Sequence, residues 1–275
     1  MKHYERKANG YTFNVEEYGS TYELAVTNRK REVAQQWIGN ELTDGDIHSG
    51  FHGVNNREEA YQMLQNGWAE KVQETIAKTE TDQRQGEKKR QAFKNDVVGF
   101  APIVPLAMMN VPNSMLNTAL RQVKSKVIKI VYANDGYGGR STDDFIKSGQ
   151  RVMSAIVSLE QNGYRCEIYS SQWYVIGNKV DTLLVKVKEA NQPLDIKRAM
   201  FPMTHPAMLR VVGFDWEDRC PTSTYDSGRG RVISTIKNCN DVIKKAFGDE
   251  FTFIDLDTAM KGIDEVKKAI TGGKK

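Results

Sequence analysis

The sequence predicts an α/β protein, a mostly parallel sheet flanked by helices, preceded by a smaller N-terminal α+β region. Three observations carry this reading. After Ser125, β-branched runs alternate with amphipathic helical stretches, the grammar of βα units. Turn residues such as Asn162-Gly163 separate them. The 275 residues, 39% hydrophobic and 27% charged, supply a core for one large or two small domains, about 1.8 times a 150-residue prior.

The elements follow in order. Tyr11–Val15 and Tyr22–Thr27 alternate as short strands would. From Asn56 to Lys78, Ala60, Met63, Leu64, Trp68, Val72 and Ile76 recur at helical spacing. Asn55 or Asn56 offers the cap, Glu58 and Glu59 favour the first turn, and Gly67 can split the helix. Residues 78–96 carry six basic and four acidic side chains and little else, which predicts a solvated helix or connector. The division expected is therefore 1–96, with that connector at its end, and 97–275.

The most apolar stretch, Val97–Val111, is 15 residues long and holds Pro102 and Pro105. It falls short of the roughly 20 residues needed to span a bilayer and reads as a buried strand or core-crossing loop. No membrane partner is expected. A charged N-terminus without an apolar run gives no signal peptide, and three cysteines without metal-knuckle spacing suit a reducing cytoplasm.

Lys126–Ala133 reads as a strand, and Asn134–Gly139 as a glycine-rich turn. Ser141 then caps a helix with Phe145, Gly149, Val152, Met153, Ile156 and Leu159 on one face. Tyr164–Tyr169 is the next strand, making a right-handed βαβ unit. Thr182–Val187 and Phe251–Leu256 are further strands. Helices are expected from Leu194, broken by Pro202 and Pro206, over Val232–Phe247, opened near Ser227-Gly228, and over Thr258–Ile270.

Ligands of open parallel sheets bind beyond the carboxyl ends of the strands. That points to three loops: Asn134–Ser141, Ser170–Gly177 and Asp255–Thr258. The first is the richest, with Asn134, Asp135, Gly136, Gly138, Gly139, Arg140, Ser141 and Thr142 as candidates to hold a phosphate or a partner at a helix N-terminus. The dinucleotide fingerprint is only half met there, since Ser141 stands where its third glycine belongs. Asp135, Asp255 and Asp257 could converge as ligands for Mg²⁺, as nucleases require. Lys88, Lys89, Arg90, Lys94, Arg229 and Arg231 are candidate nucleic-acid contacts.

A strand ending in Asp135, followed by hydroxyl residues at a helix start, resembles the von Willebrand factor A-type fold, a Rossmann-type architecture, over roughly 125–189. The Asp-x-Ser-x-Ser metal motif of that fold is not met, because Tyr137 and Gly139 stand at the serine positions. The passage Val152–Glu167, with Trp68 and the 97–115 segment, also resembles a family of uncharacterised bacteriophage and prophage proteins. That resemblance implies a phage origin and a host-cytoplasm location, and no activity.

The remaining catalytic patterns are incomplete. His48 and His52 are four apart, but Gly50 and Gly53 argue for a loop, and His205 precedes a proline. Cys166 lies within a strand, and Cys220 has acidic neighbours that raise a thiol pKa. Neither G-x-S-x-G nor a Walker motif occurs. A scaffold without a full catalytic set suggests a non-catalytic binding or assembly module with a protein partner or self-assembly. The alternatives are a nucleic-acid-binding or Mg-dependent processing protein and a nucleotide-binding enzyme.

Overall fold

The computed structural model describes residues 1–29, 50–83, 92–99, 101–119, 127–136, 139–220 and 232–272. The chain opens with a hairpin of β1 (Lys2–Ala8) and β2 (Tyr11–Tyr18). Its turn residues, Asn9 and Gly10, both have positive φ, 49° and 84°, as the tight turn that matches strand twist requires. Helix α1 (Thr21–Arg29) follows, with Ser20 Oγ accepting the Glu23 N–H as its cap. The strand expected over Tyr22–Thr27 is thus helical, and Leu24, Ala25 and Asn28 share its buried face. Helix α2 (Arg57–Asn66) starts on Asn56, whose side chain accepts the Glu59 N–H. Gly67, at φ 82°, ends it before α3 (Val72–Gln83).

An excursion comes next. Strands β3 (Ala92–Asp96), β4 (Ala101–Pro102) and β5 (Met115–Ala119) form a separate antiparallel sheet in the order β3-β5-β4. A short helix, α4 (Val104–Met108), sits between the last two. Gly99 lies so close to Leu116 that a Cβ there would fall 2.2 Å from its carbonyl oxygen. The burial expected for Val97–Val111 is not found: Val97, Val98, Val104, Met108 and Met109 are all exposed. Two prolines and a glycine keep such a run out of a central strand, and it closes on itself instead.

The remaining elements alternate more regularly. They are β6 (Val127–Ala133), α5 (Thr142–Gln161), β7 (Arg165–Ile176), β8 (Lys179–Lys188) and α6 (Ile196–Thr204). A π-helical turn (Met208–Gly213) runs into α7 (Phe214–Glu217). After a 3₁₀ turn (Ile233–Thr235) come α8 (Cys239–Phe247), β9 (Phe251–Ile254), α9 (Leu256–Lys261) and α10 (Ile263–Thr271). Asn238, at φ 56°, and Gly262 divide the two C-terminal helices expected to be continuous.

The main sheet has the order β1-β2-β8-β7-β6-β9. It is mixed, which corrects the mostly parallel Rossmann-type sheet expected from the alternation. Strand β2 runs parallel to β8, and β6 runs parallel to β7 and β9. The β1–β2 and β7–β8 pairs are antiparallel. The cause is local: only Gly177 and Asn178 separate β7 from β8. A two-residue link makes a hairpin, whereas a parallel return needs a crossover of a dozen or more residues. The loop expected at Ser170–Gly177 is accordingly the second half of β7.

Both faces of this sheet are covered. Ile130, Tyr132, Ile168 and Leu183 pack with Met153 and Ile156 of α5 and with Met200 and Met203 of α6. Phe13, Val131, Trp173 and Phe253 pack on the other face with Val242 and Ile243 of α8. Gly149 allows α5 and α6 to touch, since a Cβ there would lie 2.2 Å from the Met203 carbonyl oxygen. No helix among the described residues is long and apolar enough to cross a membrane.

Candidate functional site

Parallel β6 and β9 end side by side; Asp255 follows directly from Ile254, and Asp135 comes two residues after Ala133. Together with Gly136, Arg140, Ser234 and Asp257 they line a cleft of about 10 Å³, room for roughly one water molecule. Two of the three expected loops therefore meet here.

Each carboxylate in the cleft has a partner. Asp135, only 6% exposed, accepts the Ile233 N–H at 3.2 Å. Burial pushes its pKa up to about 7 against the pull of that N–H, and the charges of Asp255 and Asp257 push the same way. Asp255 caps α9 by accepting the Thr258 N–H at 2.8 Å. Asp257 pairs with Arg140 at 2.5 Å. Of these acids, Asp135 is buried with a raised pKa and Asp257 is paired with an arginine. No group of three or more His, Cys, Asp or Glu among the described residues is arranged to hold a metal ion.

The start of α5 is closed in the same way. Ser141 Oγ accepts the Asp144 N–H while Asp144 accepts the Ser141 N–H, a reciprocal capping box. Thr142 Oγ donates to the Gly50 carbonyl at 2.7 Å. Gly136 is enclosed, since a Cβ there would meet Phe145 at 2.9 Å, whereas Gly139 faces open space. Asn134 is fully buried; its amide donates to the Pro202 carbonyl at 3.4 Å, and its Oδ1 has no hydrogen-bond partner among the described residues.

Beside the cleft lies a residue that sequence reasoning missed. Arg210, on the π-helical turn, is 2% exposed. Its guanidinium donates to the carbonyls of Phe51, at 2.5 Å, and Arg140, and sits 3.9 Å over the Phe51 ring. Burial lowers its pKa to about 10, so it remains charged near neutral pH. Arg140, Thr142, Asp143, Phe51 and Arg210 line a surface groove of about 550 Å³.

A second missed constellation surrounds Asp215, which accepts from Arg57 Nε at 2.7 Å and Tyr61 hydroxyl at 2.5 Å. Asn28 joins it through Tyr61 and Arg219. Nothing in the sequence spacing links positions 28, 57 and 215; only the fold does. His205 is buried between Trp68 and Phe201, and burial lowers its pKa to about 4. Cys166 is pushed up to about 12 by burial, and Cys220 and Cys239 are raised for the same reason. No activated thiolate results.

Lys88, Lys89, Arg90, Gly138, His48, Arg229 and Arg231 lie outside the described residues. Lys94 is on β3 of the excursion. No curated protein and no solved structure matches the chain. Residues 7–268 match the family described as Domain of unknown function (DUF7192), and that span makes the chain a member of it.

Proposed function

We propose that this chain is a phage-encoded, non-catalytic binding or assembly module that acts on another macromolecule, a protein or a second copy, in the host cytoplasm. The observation that supports it best is the groove beside the strand ends. Its walls are held rigid by Arg210, Thr142 and the capped start of α5, and preorganised surfaces bind with less entropic penalty. The adjoining cleft has room for about one water, and its acids are engaged within the chain. The phage origin draws on the resemblance carried by Val152–Glu167, Trp68 and the 97–115 segment.

A photo-crosslinking residue at exposed Asp143 tests this reading in cells. Adducts to a second macromolecule are expected from that position and not from Lys261. Mg²⁺-dependent turnover of DNA or RNA that disappears in Asp135→Ala would replace it with the processing alternative.

A further inference from the structure

The excursion at 92–119 is built unlike the rest of the molecule. Among the described residues its strands pair only with one another, and it displays Val98 at 73%, Met108 at 81% and Met109 at 73% exposure. Exposed apolar clusters of this kind mark interaction surfaces. From Val97 to Leu120 the chain holds no Asp, Glu, Lys, Arg or His over 24 residues.

Charge is segregated around the same place. The run from Arg84 to Lys126 has eight Lys or Arg and two Asp or Glu, a net +6, while the other 232 residues have 31 and 33, a net −2. All of the chain's excess positive charge therefore brackets an uncharged, outward-facing apolar element.

We propose that residues 92–119 are a docking element for an anionic lipid surface, with Val97, Val98, Val104, Met108 and Met109 entering the headgroup–acyl boundary. Buried apolar area and attraction between basic flanks and anionic lipid are the two contributions that hold a peripheral protein on a bilayer. Lying on a surface requires no spanning helix. A second copy is disfavoured as the occupant, because each copy carries the same net +6 over residues 84–126. Nucleic acid is disfavoured because aliphatic and methionine side chains offer bases no stacking platform. The element is separate from the groove beside Arg210, so either surface can fail alone.

The test is co-sedimentation of the full chain with vesicles of phosphatidylcholine alone or phosphatidylcholine mixed with phosphatidylglycerol. Binding to the mixed vesicles is expected to be roughly tenfold tighter or more, and to weaken as salt rises. The double variant Met108→Asp, Met109→Asp should lose that binding by a similar factor while its circular dichroism is unchanged. Equal affinity for both vesicles, absence of binding, or retention by the double variant would each overturn the proposal. So would a wild-type dimer in light scattering that the same variant converts to monomer, which would assign the surface to a second copy.

Discussion

Methionine is treated in opposite ways by the two parts of this molecule. Met153, Met200, Met203 and Met208 are fully buried between helices and the main sheet, whereas Met108 and Met109 stand out in solvent. The side chain is the same, flexible and polarisable; the difference lies in what surrounds it. In the body, helices α5 and α6 close over a six-stranded sheet, so the core residues find partners from another element. In the excursion, three short strands and a single five-residue helix lack the area to enclose anything. Apolar composition thus reports burial only where a second layer exists to provide it.

The largest test of this contrast concerns charge held inside the body. Asp135 has a folded pKa near 7, raised from 3.8. Between those values the folded chain keeps a proton that the unfolded chain has released. Stability therefore falls as pH rises from 4 to 7, by up to about 4 kcal/mol. Asp135→Asn should flatten that decline in urea titrations at pH 4.5 and 8; an unchanged slope would show that the carboxylate is not held as described. Next in size is Met153→Ala, for which a loss of about 3 kcal/mol is expected from the cavity left beneath α5. A denaturation midpoint equal to wild type would mean that the body is no better packed than the excursion.

Ser170→Ala should reduce stability by about 1.5 kcal/mol, because the Pro202 carbonyl would lose a donor now at 2.6 Å. The smallest effect belongs to Met108→Ala, within about 0.5 kcal/mol of wild type by thermal or chemical unfolding. A larger destabilisation would reveal that the excursion packs on something.

Much of the body is legible because its signals are local. The Ser141–Asp144 capping box, the Asn56 cap and the Asn162-Gly163 stop each need only neighbours in the chain. Asn9-Gly10 is an equally local hairpin sign, and it accounts for β1, a strand whose charged side chains hide it from hydropathy. The meeting of Asp135 with Asp255 and Asp257 also follows from strand ends lying side by side.

What stays hidden depends on distant partners. Ser170, Ser171 and Gln172 look like a loop, yet they lie within β7 because the carbonyls of Pro202, Tyr132 and Met208 accept from them. The direction of β8 was open to the eye only through the two-residue link at Gly177-Asn178. Arg210 gives no sequence signal, since its partners are backbone carbonyls and aromatic faces. The fate of Val97–Val111 turns on whether another layer covers it, which no spacing pattern encodes.

Pro202 lies in the last turn of α6, which ends at Thr204 with His205 in extended backbone, so its carbonyl has no partner within the helix. That oxygen accepts instead from Ser170 and Asn134, at the edge of the cleft. A carbonyl left open at the end of one helix thereby becomes the clasp between helix and sheet. Removing the Ser170 donor would therefore loosen the strand end without altering any residue that lines the cleft.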